Sequence, residues 1–411
     1  MKNIIYFMIF MLGVPLNTFS QRVCGSVLDM DELQRTDTVR YQRIMNFERQ
    51  TLDILRGTKN IPDEIVIPVV VHVVYKNSTE NISDAQINAQ IQVLNEDFQR
   101  LNSDAVNTPA AFQSIAGSTK INFKLAKLDP DGNPTTGITR TSTTNSGFLN
   151  TTNDVKYNSS GGHDAWNTLW YLNIWICDFA SSSLMGYAQF PDQLYTNPNT
   201  DGVVISYKYF GKDNPSYPSY NKGRTTTHEV GHWLNLRHIW GDAHNCTATD
   251  FVDDTPNQYQ STFGCPSFPQ TDACTTSNPG IMFMNYMDYS YDHCMNIFTK
   301  GQVERMLALF DTQVGIRKDM MINAHCLTQS ILNFTNQTVT NNTTVTNNCD
   351  ISIQNVRVRN GAKLILDAAG EVNIIGDFEV ELGSEFEIRQ GYLLLKKSFL
   401  LAGAEFLFLA G

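Results

Sequence analysis

The sequence predicts an α+β protein: a layered domain of strands and helices over most of the 411 residues, followed by a small all-β domain at the C-terminal end. Three observations carry that expectation. The run IVIPVVVHVVY at Ile65–Tyr75 has the length and β-branched content of a buried strand. Ile87, Ile91, Leu94 and Phe98 then repeat at helical spacing behind Ser83, whose hydroxyl suits an N-cap. Near the end, Gly361-Ala362-Lys363-Leu364-Ile365-Leu366 recurs as Gly383-Ser384-Glu385-Phe386-Glu387-Ile388 and as Gly403-Ala404-Glu405-Phe406-Leu407-Phe408. Such a period suits a β-solenoid whose coils bury their faces by stacking, with a β-sandwich as the alternative.

The elements follow in order. Lys2, an apolar stretch from Ile4 to Val14, and the small residues Thr18 and Ser20 make residues 1–20 a secretory signal, so the chain is expected to be secreted, outside the cell or at its surface. That stretch is shorter than the roughly 20 residues a spanning helix needs, and no later one is longer, so no transmembrane anchor is expected. Val23 before Cys24 is not the small residue of a lipoprotein signal. Residues 21–60 are polar and charged, with a helix expected from about Thr38 to Leu55. After the first strand and helix, further strands are expected at 121–128, 171–179 and 202–209. An Asn/Thr tract makes 326–350 a linker, with an edge as the alternative, and 351–411 the repeat domain. With 30 basic against 41 acidic residues the chain carries a formal charge of −11, which argues against nucleic acid as a partner.

Export makes the eight cysteines informative, since disulfides persist in oxidising compartments. Cys246, Cys265, Cys274 and Cys294 lie in a polar segment that gains much from cross-links, and spacing leaves all three of their pairings open. Cys326 and Cys349 form a further candidate pair. Cys177 sits in the apolar run YLNIWIC as a buried thiol, although a Cys24–Cys177 bond is the rival reading.

Chemistry concentrates at His228-Glu229-Val230-Gly231-His232. Residues i and i+4 of a helix face one way, so both imidazoles can reach one zinc ion, with Glu229 beside them as a proton acceptor. His238 follows six residues later and would point away if the helix continued. Asn235 stands where a left-handed residue can end the helix and turn the chain back. Three histidines leave one position open, as catalytic zinc requires.

Residues 228–238 resemble the metzincin zinc signature, and Asn285-Tyr286-Met287-Asp288-Tyr289 its Met-turn. With the flanking Trp233 and Leu234 and with Asp253-Asp254-Thr255-Pro256, the chain is similar to the pappalysin family over roughly residues 22–320. The resemblance implies a metzincin-like fold: a twisted mixed sheet, an active-site helix and an irregular C-terminal subdomain within a catalytic domain at 59–325. Asn235 departs from the glycine usual in the family. Further roles follow from the resemblance alone. Met287 forms an apolar base under the zinc, and Tyr289 steadies the tetrahedral intermediate. Asp292 lies at the floor of a pocket selecting Arg or Lys after the scissile bond. Cys246 pairs with Cys274 and Cys265 with Cys294. Asp250 and Thr255 surround a calcium ion, with the Val252 carbonyl. Arg22-Val23-Cys24-Gly25 is a latency element whose thiolate occupies the fourth zinc position, making 21–58 a propeptide cut near Arg56 or Lys59.

The expected function is therefore a secreted zinc metalloendopeptidase acting on proteins or peptides, made latent, with substrate pairing beside an edge strand near 184–190. The competing classes are a surface adhesin acting through the C-terminal repeats, which offer a route to surface attachment, and a zinc amidase acting on a non-peptide amide. His72 is expected to be packed and hydrogen-bonded in its strand; His163, His244, His293 and His325 are expected to face water. No GxxxxGK[ST] loop and no GxSxG elbow occurs.

Overall fold

The computed structural model describes residues 23–390 apart from 28–29, 182, 323, 330–331, 348 and 369; the signal at 1–20, Arg22 and the third glycine-led repeat lie outside them. The chain begins with a two-residue strand, β1 (Val23–Cys24), and two helices, α1 (Met30–Thr36) and α2 (Thr38–Arg56). Asp37 caps α2 by accepting from the Arg40 amide at 3.0 Å. β2 (Ile65–Tyr75) is buried along all but its last residue, as its apolar sequence requires of a strand covered on both faces. α3 (Asp84–Phe98) starts at Ser83, whose hydroxyl accepts from the Gln86 amide at 3.2 Å. A short α4 (Ala110–Gln113) precedes β3 (Ile121–Leu125), β4 (Ile138–Ser142), β5 (Leu172–Cys177), β6 (Leu184–Ala188) and β7 (Val203–Ser206). α5 (Arg224–Trp233), α6 (Lys300–Ala308) and α7 (Ala324–Thr328) complete the helices.

The seven strands form one mixed sheet in the order β1-β6-β7-β5-β2-β3. β2 is long enough to serve two partners on one side, β3 along its first half and β4 along its second. Every pairing is parallel except β6 with β7. Ile65, Ile67, Val69, Val71 and Val73 of β2 face the helices and join one core with Ile87, Ile91, Leu94 and Phe98 of α3 and Val230 and Trp233 of α5. Val70 and Val74 point to the opposite face and into separate clusters. The strands expected at 121–128, 171–179 and 202–209 are each shorter. β7 ends at Ser206 because that hydroxyl accepts from the Lys208 amide and turns the chain into a 3₁₀ segment at Tyr207–Tyr209.

Among the described residues, 234–299 contains no helix or strand of the named set. This irregular stretch is tied by Cys246–Cys274 and Cys265–Cys294; Cys326–Cys349 is the third disulfide. Cys24 and Cys177 are buried free thiols, so the rival bond between them is not formed.

The C-terminal region corrects one expectation. Residues 326–350 are an edge and not a linker: they carry the end of α7 and three strands that each end a sheet, β8 (Leu332–Thr335), β9 (Thr338–Val339) and β10 (Thr343–Asn347). The remaining strands are β11 (Ile351–Gln354), β12 (Val356–Val358), β13 (Lys363–Ala368), β14 (Val372–Ile374), β15 (Phe378–Val380) and β16 (Glu385–Gln390). They pair in parallel as β8-β11-β14, β9-β12-β15 and β10-β13-β16. Register offsets run from 19 residues, Leu332 opposite Ile351, to 22, Lys363 opposite Glu385. The Asn/Thr composition hid the strands because only Phe334, Val339 and Val345 of that tract turn toward the apolar interior.

Candidate active site

Apart from Arg224 and Glu229, helix α5 is made of residues with little helical preference, three of them consecutive threonines, yet all ten are buried. Tertiary contacts hold it. Arg224, in its first turn, donates to both carboxylate oxygens of Asp104 at 2.7 Å and to the Asp292 carbonyl at 2.6 Å. Asp97 accepts from Thr227 at 2.8 Å and from the Tyr286 phenol at 2.9 Å; burial pushes its carboxyl up, against the pull of Arg224. The C-terminal end is a Schellman turn. The Leu236 amide donates to Gly231 at 2.9 Å and the Asn235 amide to His232 at 2.9 Å, with Asn235 at φ 70°. The left-handed residue required between His232 and His238 is thus Asn235.

That turn brings three rings together. The Nε2 atoms of His228, His232 and His238 lie 3.1–3.2 Å from one another. Each Nδ1 faces an acceptor: the Tyr286 carbonyl at 2.7 Å for His228, the Leu236 carbonyl at 2.8 Å for His232, and the Asp242 carboxylate for His238. With Nδ1–H donating, every Nε2 presents a lone pair, and three lone pairs cannot hydrogen-bond one another. Only a cation reconciles them. Zinc–nitrogen bonds of about 2.0–2.1 Å around a tetrahedral centre match this triangle. The outer acceptors are of the kind that orient metal-bound imidazoles.

A fourth donor completes the set. Cys24 Sγ and the three imidazole nitrogens all lie within 4.8 Å of one another, and all four residues are buried. β1 delivers the thiol by lying against β6, with the Gly25 amide donating to the Gly186 carbonyl at 2.9 Å. Cys24 Sγ is 3.3 Å from Glu229 Oε2, and the Ser26 hydroxyl is equally close to that oxygen while accepting from the Ala188 amide at 2.7 Å. Burial first, then the charge of Glu229, pushes the Cys24 thiol well above its ordinary value, so a thiolate here requires a neighbouring cation. Gly186 leaves the space Glu229 fills: a Cβ there would meet Glu229 Cγ at 2.8 Å.

Met287 is fully buried, and its Sδ would stand 2.5 Å from a Cβ added at Gly231, so glycine admits the sulfur against the helix at the residue preceding His232. The Tyr289 ring sits 5.0 Å from that of His238 and 5.8 Å from that of His228. Trp240 stacks on His238 at 4.3 Å. Asp292 is 1% exposed, and its Oδ2 accepts from the Lys222 amide at 2.9 Å and the Arg224 amide at 3.3 Å. Its Oδ1 has no hydrogen-bond partner among the described residues. Asp250, Val252 and Thr255 converge as oxygens: Thr255 Oγ1 lies 2.7 Å from Asp250 Oδ2 and 2.9 Å from the Val252 carbonyl. One hydroxyl proton cannot serve both, and burial pushes the Asp250 carboxyl up to about 7.

Sequence reasoning missed Asp242, Trp240 and Ser26. Asp242, four residues past His238, carried a spacing signal; Ser26 carried none. His72 bonds Thr139 and Asn173 as expected of a packed strand residue, and burial lowers its pKa to about 3. His163 does not simply face water: it is half-buried and stacks on His72 at 4.2 Å.

Comparisons agree with this geometry. The family model described as pregnancy-associated plasma protein-A matches residues 155–311. An extracellular metalloprotease of Arthroderma otae is 31% identical over 253 residues, covering 61% of this chain and 79% of its own. Among solved structures, a promirolysin mutant of Tannerella forsythia is 58% identical with a TM-score of 0.73, covering 75% of this chain and 100% of that one. Mature mirolysin of Tannerella forsythia, in complex with a cleaved peptide, is 62% identical with a TM-score of 0.64, covering 65% and 99%. The architecture accordingly has the mixed sheet and sparse helices of the metzincins, and no described helix is long and apolar enough to cross a membrane. The chain belongs to the pappalysin family and is a zinc metalloendopeptidase.

Proposed function

We propose that the protein is a secreted endopeptidase, made as a zymogen, that cuts proteins or peptides before Arg or Lys. The convergence of His228, His232, His238 and Cys24 beside Glu229 carries the reading. A zinc ion held by the three imidazoles would polarise the scissile carbonyl and acidify the attacking water. Glu229 takes the proton of that water and hands it to the leaving amine. Tyr289 donates to the oxyanion, while Met287 seats the histidines from below.

Latency is supported by three features. Cys24 occupies the fourth metal position, Ser26 covers the Glu229 carboxylate, and β1 fills the edge of β6 where a substrate strand would pair. The pro and mature forms of the similar protein cover 75% and 65% of this chain, a difference close in length to residues 21–58. Cutting near Arg56 or Lys59 would release that segment and leave 59 onward as the active domain. Asp292 supports the specificity: a buried carboxylate with one oxygen pinned by backbone amides and the other unpartnered suits a basic side chain.

Asp250, Thr255 and the Val252 carbonyl are proposed to hold a structural calcium, a hard cation matched by oxygen donors. The C-terminal strands are proposed as coils of a β-solenoid. The left-handed corners at Asn336, Asn355 and Gly376 support this, as does the bond from Asn355 Nδ2 to Asn336 Oδ1 at 3.0 Å. Such a module offers a means of surface attachment. The relatives named extracellular metalloproteases support export through the signal at 1–20.

The test is Glu229→Ala together with digestion of a peptide library. Proteolysis is expected to vanish while zinc stays near one per molecule, and parent cuts are expected before Arg or Lys and to stop with chelator. Full activity in Glu229→Ala would remove the mechanism.

A further inference from the structure

Helix α2 lies on the catalytic domain with an unexpected residue at its centre. Its buried positions are Ile44, Glu48 and Thr51, so it hides only one apolar side chain completely, and a carboxylate stands beside it. Glu48 meets two arginines that are themselves buried. Arg305 Nη2 binds both of its oxygens, and Arg237 Nη2 lies 3.3 Å from Oε1. The aromatic ring of Phe251 lies 4.9 Å from the Arg237 guanidinium and 5.6 Å from that of Arg305. Burial works to raise the Glu48 carboxyl, but the two guanidiniums hold it below its ordinary value. Arg305 Nη1 and Arg237 Nε have no hydrogen-bond partner among the described residues, so donors still outnumber acceptors with Glu48 in place.

The arginines also reach the metal-binding turn. Arg305 Nε donates to the Asn235 carbonyl at 2.7 Å, and Arg237 directly precedes His238. Two buried cations on an aromatic floor, met by a carboxylate standing beside Ile44 on an amphipathic helix, describe a receptor and its ligand better than a core.

We propose that Arg237 and Arg305 form a carboxylate-recognition site, separate from the metal cleft, whose ligand is Glu48 of α2 and which accepts that same helical segment when offered as a free peptide. The proposal deepens the latency argued above and rests on α2 belonging to the removable segment. It assigns that segment two anchors, Cys24 on the metal and Glu48 on the arginine pair. Freed α2 is then a ligand for the enzyme it left, and its binding does not need Cys24.

The experiment uses the full chain carrying Glu229→Gln, in which no self-cutting occurs whatever Cys24 does. Glu48→Gln should make the α2 amides exchange with solvent about a hundred-fold faster, the change that ~3 kcal/mol for breaking a buried pair corresponds to. Amides of β2 should stay as slow as in the parent. Arg49→Gln, at an exposed position of the same helix, should change α2 by less than about tenfold. A labelled peptide of residues 38–56 should bind the Glu48→Gln chain, and the same peptide carrying Glu48→Gln should bind at least about tenfold more weakly. Unchanged α2 exchange, or equal binding of the two peptides, overturns the proposal. Should β2 loosen as well, Glu48→Asp is read instead: exchange near the parent supports a charge-reading site, and release as large as with Glu48→Gln overturns it. In the chain that keeps Glu229, Glu48→Gln failing to speed activation, with α2 released as expected in the Glu229→Gln chain, would count against the latency reading alone.

Discussion

Removing the charge on Asp242 should weaken the metal without displacing its ligands. Asp242 is held at φ 60° with its carboxylate on His238 Nδ1, the pair almost fully buried at 2% and 0% side-chain exposure. A hydrogen bond to a charged group contributes about 1.5–3 kcal/mol and one between neutral groups about 0.5–1.5. Asp242→Asn keeps an acceptor and loses the charge, so the difference of about 1–1.5 kcal/mol predicts roughly tenfold weaker zinc binding. Asp242→Ala loses the acceptor too and should fall toward the hundredfold end of what outer partners of metal-bound histidines deliver. The direction follows because an anionic acceptor makes the imidazole a better donor to the ion. The measurement is competition with a chromophoric chelator at neutral pH, in a Cys24→Ala background so that only the three imidazoles hold the metal. If both variants bind zinc within threefold of the parent, the Asp242 contact has no part in holding the ion.

Lys156 is buried under Trp175 and Tyr187, donating to the Thr200 carbonyl at 2.6 Å, and burial lowers its pKa to about 7. A depressed folded value means its contribution to stability is complete above about 10.5 and lost as pH falls through about 7. Lys156→Met should therefore flatten the rise in melting temperature between pH 7 and 10 that the parent shows, and an unaltered slope would exclude Lys156 as its source. Gly186→Ala should press on Glu229 and lower kcat at least about tenfold, with zinc content unchanged. Asn235→Gly, at φ 70°, should raise stability by up to ~1 kcal/mol in denaturant titration, because glycine adopts this conformation without a Cβ penalty.

What the sequence disclosed was what it encodes locally. His228, His232 and Asn235 are related by helical geometry alone, and β2 announces itself by unbroken apolar content. The contacts that hold the N-terminal segment are of another kind. Ser26 meets Glu229 across 203 residues and Glu48 meets Arg305 across 257, and a polar residue in a charged stretch gives no sign of a distant partner. The tract at 332–347 misled for a third reason. Its strands bury so few apolar side chains, Phe334, Val339 and Val345, that composition reads as linker although pairing with the later strands makes it part of the sheets. Local period predicts an element; only stacking decides whether a thin stripe suffices.

The buried thiol supplies the sharpest test of the proposed link between metal and latency. Cys24 is 2% exposed, and its burial and its neighbour Glu229 oppose ionisation more strongly than the hydrogen bonds from Ser26 favour it, so the protein alone holds a thiol there. The β1–β6 contact is only two residues long and cannot hold the segment by itself. Chelating the metal should therefore let β1 leave, and Cys24 should become alkylated under native conditions at least about tenfold faster, as read by mass spectrometry of intact Glu229→Gln protein. Cys177 serves as the internal reference, because it lies in the central strand β5 with no metal near it, and its rate should not change. Equal alkylation of Cys24 with and without chelator would mean that packing, not the metal, keeps the thiol in place. The fourth ligand would then be a consequence of how the segment docks rather than the cause of its staying.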